Sequence, residues 1–162
     1  MKLNTEPLSG IELKQTVVAS GPYYARISAV EIKPQVVNPT RTNLIVEVTL
    51  NDPEVTNTKG EIVDNKGIRL TRNISMHQTD KYDPNRAYKE LAVAIDHPAA
   101  TDDSIDFNDS DMLNQSVEII VGVNEAESGT NEATGKKFDY PQRNTIRRFN
   151  KIKDLEYESP PF

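Results

Sequence analysis

The chain has 162 residues, 36% of them hydrophobic and 27% charged, a balance that suits one domain with a real core and excludes a wholly disordered chain. It contains no cysteine, which excludes disulfide frameworks, thiolate metal sites and cysteine nucleophiles together. A net charge of −6 argues against a protein that coats duplex DNA over its whole surface, yet the charges are segregated: no Lys or Arg falls between Glu90 and Lys136, whereas Lys136, Lys137, Arg143, Arg147, Arg148, Lys151 and Lys153 face only Asp139.

Residues 1–19 read as an N-terminal arm or extra strand. The opening Met1-Lys2-Leu3-Asn4-Thr5-Glu6-Pro7 lacks the apolar core of a signal peptide, and no apolar run is long enough to cross a bilayer, so a soluble, cytoplasmic protein is expected, in the host cytoplasm if viral. Tyr23 to Ile32 alternates as a strand whose phase slips near Ala29-Val30, the mark of a bulge. Leu44, Val46, Val48 and Leu50 share one face of a second strand. Gly67 to His77 forms a third, with Ile68, Leu70, Ile74 and Met76 inward and Arg72 out of place on the apolar side. Asp83-Pro84 then signals an N-cap and a first helical proline, and Tyr88, Leu91, Ala92 and Ile95 recur at helical spacing until His97-Pro98 ends the run. An acidic loop over 99–111 precedes a strand with Val117, Ile119, Val121 and Val123 inward. A long loop is expected over 125–143, then a strand over Asn144 to Ile152 in which Ile146 and Ile152 oppose Arg147, Phe149 and Lys151. Residues 154–162 read as a flexible acidic tail.

Three strands, a helix and two strands is the order of an OB-fold, so the expected class is mainly β: a barrel of about five strands over residues 20–153, with one helix between strands 3 and 4. The ligand face of that fold uses strands 2 and 3 and the loops joining strands 1–2 and 4–5. The 4–5 loop here carries Lys136, Lys137, Phe138, Tyr140 and Arg143, cations interleaved with aromatic rings. That pairing suits single-stranded nucleic acid, because cations neutralise phosphates while rings stack on bases without demanding a sequence. Arg26, Arg69 and Arg147 extend the expected groove, Tyr24 and Phe149 offer further stacking faces, Arg72 crosses near a barrel mouth, and Arg41 on the strand 1–2 loop is placed to clamp a strand. Packing of Phe138 and Tyr140 onto the barrel weighs equally on the residues alone.

Catalysis is not expected, and neither is a cofactor or metal. His77 and His97 lie outside any metal-ligand spacing. The segment from Asp102 to Asp111 lacks both the turn glycine and the closing Glu of a calcium loop.

The strand and helix order, the Lys89-Glu90-Leu91-Ala92 helix, the basic aromatic loop and the ending Pro160-Pro161-Phe162 together resemble the single-stranded DNA-binding proteins of bacteria and their phages. Members of that family commonly close on an acidic tip with a proline and phenylalanine. The resemblance implies a non-enzymatic protein that coats single-stranded DNA in replication or recombination. It further implies a tail, Asp154, Glu156, Glu158, Pro160, Pro161 and Phe162, that docks partner proteins into basic, apolar pockets and competes with DNA for the basic stretch. The chain departs from the family in having fewer tail carboxylates and no tryptophan. Open sheet edges are compatible with a homodimer. The rival expectation is a viral structural or interaction protein, a virion component or host-protein inhibitor, whose basic loop is an interface rim.

Overall fold

A computed structural model of the protein describes residues 15–152; the expected tail and most of the N-terminal arm lie outside the described residues. Nine strands and one α-helix run in the order β1 (Gly21–Pro34), β2 (Thr42–Leu50), β3 (Glu54–Thr56), β4 (Ile62–Asp64), β5 (Arg69–Ser75), α1 (Pro84–Ala94), β6 (Ser116–Asn124), β7 (Glu127–Thr130), β8 (Lys137–Tyr140) and β9 (Arg143–Asn150). Five of them form an antiparallel sheet in the order β5-β2-β1-β6-β9, while β3-β4 and β7-β8 are separate hairpins.

Period-two patterning builds the sheet as expected where both neighbours are regular. On β2 and β6, Leu44, Val46, Val48 and Leu50 face Val117, Ile119 and Val121 in one core. On β1 the register shifts between Ile27 and Ala29, so Ser28 is the extra residue and the phase slip read from the sequence is a bulge.

Two expectations about architecture are corrected. The sheet is not closed into a barrel: β5 and β9 are its hydrogen-bonding edges, although they approach one another. The helix lies between β5 and β6 rather than between β3 and β4, because the β2–β5 connection folds into the β3-β4 hairpin around its Asn57–Gly60 turn. Within the five-stranded sheet taken alone, α1 still follows the third strand in chain order.

The helix begins where Asp83 accepts a hydrogen bond from the Asn85 N–H with Pro84 buried behind it. It ends where Asp96 turns into the left-handed region at φ 58° and the His97 N–H returns to the Ala92 carbonyl. The His97 ring then works structurally. Its Nδ1 accepts from the Ala99 N–H, its Nε2 meets Asp111 at 3.1 Å, and Phe107 packs on its edge, so the acidic loop is pinned to the helix end.

Leu91 and Ala94 pack α1 into the core, and Glu90 beside them spans the gap between the sheet edges. Its Oε2 accepts from Arg72 Nη1 on β5 and from the Phe149 backbone N–H on β9, the latter at 3.0 Å. The Arg72 guanidinium also lies 5.4 Å from the centre of the Phe149 ring. A helix carboxylate thus takes the place of a strand-to-strand ladder at the seam. This arrangement explains why an arginine occupies an apolar-phase position on β5: it is paired, not stranded.

The end of the N-terminal arm belongs to the fold. Val18 is wholly buried and bridges Asn57, and the Asn144 side chain grips both its backbone groups, accepting from Val18 N–H at 2.9 Å and donating to Val18 O at 2.8 Å.

Candidate functional site

The loop expected over 125–143 is a hairpin. Asn131 organises its turn by accepting from Ala133 and Thr134 N–H, Gly135 supplies a φ of 72°, and β7 pairs β8 with Gly129 opposite Phe138 and Glu127 opposite Tyr140. Alternation on β8 puts Phe138 and Tyr140 on one face, with ring centres 5.3 Å apart and planes 28° from parallel. Phe138 lies so close over Gly129 that a Cβ there would meet its Cζ at 3.0 Å. Tyr140, by contrast, is 51% exposed, and the Arg143 guanidinium stands 5.7 Å from its ring centre. Gln142 fixes the hairpin base by bonding Thr58 on the β3-β4 turn and Glu125.

From this base the outward face of β9 continues the positive surface. Between Ile120 and Val121 the β6–β9 register slips, with Val121 opposite Ile146 and Ile120 opposite Arg148, so Arg147 is the extra residue of a bulge. Both Arg147 and Arg148 are exposed, and Arg147 lies flat over Gly122, where a Cβ would collide with its Nε at 1.9 Å. Arg148 to Arg143 spans about 17 Å of strand. None of Lys136, Lys137, Arg143, Arg147 and Arg148 forms an ion pair among the described residues, whereas Lys151 is paired with Asp96.

The same bulge corrects one expected site residue. Phe149 offers no stacking face: the extra residue returns it to the inward phase with Ile146, and it is 2% exposed in the core. Arg72 sits at the seam with Glu90 and does not reach a mouth. The three-residue spacing of Ile146 and Phe149 is the sequence signal for the bulge, and with it for Arg148, which strict alternation does not assign to the groove.

The other candidates are not on the hairpin or β9. Arg26 and Arg69 flank Thr49 in one cross-strand row of the outward face, with Arg26 Nη1 also bonded to Asn114. That row is two strands and four residues from Arg148, roughly 16 Å. Tyr24 is exposed, but it lines a shallow cleft of about 240 Å³ with Asp52 and Glu118, whose carboxylates oppose a phosphate. Arg41 is on the β1–β2 turn, at the far end of a 14-residue strand from the hairpin. The structure therefore brings Phe138, Tyr140 and Arg143 into contact, sets Lys136 and Lys137 out along the hairpin on one side of them and Arg147 and Arg148 along β9 on the other, places Arg26 and Arg69 farther across the sheet, and leaves Tyr24 and Arg41 outside this strip.

Pairing β8 with β7 also brings acids to the hairpin. Between residues 125 and 143, Glu125, Glu127, Glu132 and Asp139 outnumber Lys136, Lys137 and Arg143. Positive potential is therefore concentrated at the turn and along β9, not over the hairpin as a whole. Among the described residues no three His, Cys, Asp or Glu side chains converge as a metal site, and no helix is long and apolar enough to cross a membrane. The docking residues Asp154, Glu156, Glu158, Pro160, Pro161 and Phe162 lie outside the described residues. No protein-family model matches the chain, and no curated protein is significantly similar to it in sequence.

Proposed function

We propose that this chain binds single-stranded DNA without sequence preference, through the β7-β8 hairpin and the outward face of β9. The observation that carries the reading is Tyr140, an exposed ring stacked on Phe138, faced by Arg143 and flanked by cations that have no acidic partner among the described residues. A base adds to such a ring through its π-face while the arginines and lysines neutralise the adjoining phosphates. A partly open OB-like barrel is supported by the β5-β2-β1-β6-β9 order, by the approach of the two edges, and by a helix seated at their seam. Under this reading the protein acts in replication or recombination, and residues 154–162 recruit partner proteins.

Fluorescence anisotropy with an oligo-dT strand and a matching duplex, across a salt series, tests it. The strand is expected to bind at micromolar concentration or tighter, the duplex more weakly, and both to weaken with salt. Lys136→Ala with Lys137→Ala is expected to flatten the salt slope for the single strand by about 1.4, since each lost phosphate contact contributes about 0.7. Equal affinity for strand and duplex, or none at low salt, refutes the proposal. The rival reading of an interaction protein is favoured by one observation, the fully exposed Val36 and Val37 at the β1–β2 turn.

A further inference from the structure

At the end of the sheet away from the hairpin, the β1–β2 turn carries two adjacent valines that touch almost nothing: Val36 is 97% exposed and Val37 96%. The turn around them is well made. Gln35 and Arg41 close it through the Gln35 N–H to Arg41 O bond, Arg41 N–H reaches Asn38 O, and Gln35 Nε2 donates to Asn43 and Ser75. The Gln35 side chain is spent on the sheet, while the two apolar side chains are left in solvent.

The base of the same arm holds the complement. Between β1, β2, the start of α1 and the 107–112 turn is a cleft of about 450 Å³, floored by Ile32, Met76, Phe107 and Met112 and rimmed by Asn108 and Asp109. Ile32 on this floor is 53% exposed. The charges are also complementary. Residues 34–42 contain Arg41 and no carboxylate, while residues 99–111 contain five aspartates and no Lys or Arg.

We propose that two copies of this chain dimerise by exchanging these arms, the Val36-Val37 tip of each copy seated in the cleft of the other. Ile32 on the cleft floor and Val36, just past the end of β1, are four residues apart, no more than about 13 Å. A single two-fold axis midway between them satisfies both contacts at once and leaves neither tip nor cleft exposed, so assembly closes at two copies. Each Arg41 is then carried toward the partner's acidic rim. The interface lies at the opposite end of the sheet from the β7-β8 hairpin, so the dimer displays two hairpins and does not depend on what they bind.

Sedimentation equilibrium of the full chain from about 1 to 200 μM tests the proposal. The expected result is a reversible shift from 18.2 kDa to twice that mass, with no larger species. Val36→Ser with Val37→Ser removes four apolar contacts per dimer and is expected to weaken association at least about a hundredfold. Its circular dichroism should be unchanged, since neither side chain packs on its own chain. Arg41→Glu is expected to weaken the dimer, and adding Asp109→Arg to restore it. A wild-type monomer throughout that range overturns the proposal and leaves the cleft to a partner of another kind. A dimer that the valine substitutions do not weaken overturns it equally, as does unlimited growth with concentration.

Discussion

The seam carboxylate allows a quantitative test of how an open sheet is held shut. Glu90→Ala leaves the Phe149 N–H, on a residue 2% exposed, without its acceptor, and an unsatisfied buried donor costs about 1–3 kcal/mol. Arg72 loses its ion pair as well. Because the Arg72 and Glu90 side chains keep 23% and 27% of their surface in solvent, the charge part is discounted to about 0.2–1 kcal/mol. The sum is about 1–4 kcal/mol, or roughly 3–15 °C in Tm for a chain of this size. Glu90→Gln keeps an acceptor at Phe149 and is expected to cost about 1 kcal/mol. Arg72→Ala leaves the Glu90–Phe149 bond intact and is expected to cost about 1–2 kcal/mol through the lost ion pair and cation–π contact. Equilibrium urea unfolding followed by far-UV circular dichroism measures all three, the chain having no tryptophan to report by fluorescence. If Glu90→Gln is as costly as Glu90→Ala, or Arg72→Ala costs more than either, the bond to Phe149 is not what closes the seam.

The functional surface yields further expectations. Tyr140→Ala is expected to lose about 1–3 kcal/mol of single-strand affinity while changing stability by less than about 0.5 kcal/mol, because the ring is half exposed; an affinity unchanged in anisotropy titrations removes stacking from the site. Gly122→Ala forces Arg147 off the strand, so single-strand affinity should fall and the salt slope should flatten by up to about 0.7; unaltered affinity would exclude a positional role for Arg147. Deleting residues 154–162 removes three carboxylate side chains and should raise DNA affinity most at low salt, whereas Phe162→Ala should spare affinity and abolish partner capture in pull-downs; identical behaviour of both with the full chain makes the tail passive. Burial raises the pKa of Tyr23 and of Tyr88 above 10.0, with Asp52 and Tyr82 respectively adding to the effect. The unfolded chain therefore loses these protons first, and the stability they contribute, complete below pH 10, should fade as pH climbs through the folded values. Urea midpoints at pH 8 and 10.5 should show the fall, reduced by Tyr88→Phe; a flat profile contradicts it.

What could be read from the sequence follows the regularity of each element. On β2 and β6 the alternation is unbroken, and Leu44 to Leu50 and Val117 to Val121 occupy the faces their spacing assigns. The helix was legible for a different reason: Asp83, Pro84 and the His97-Pro98 stop are local signals that need no partner. Phe149 was misplaced because strict alternation was carried through a bulge, which changes the face of every residue beyond it. The β7-β8 hairpin was hidden because Glu127 to Thr130 is exposed throughout and has no apolar face to announce a strand. Glu90 could not be recognised at all, since its role depends on two edges brought together from 18 and 59 residues away.

The grip of Asn144 on Val18 has a consequence for the order in which the molecule is assembled. The two residues are 126 positions apart, and Val18 is the first wholly buried side chain in the described chain. During synthesis its place in the core does not exist until the opening of β9 has been made. The early strands must therefore wait, unsealed, until β9 is made. Contacts of such long reach form slowly, because the intervening chain must first be confined. Folding should accordingly finish late, with the N-terminal segment docking in the final step. Hydrogen exchange at Val18 would report that step directly, its protection appearing only after that of the β1–β2 ladder.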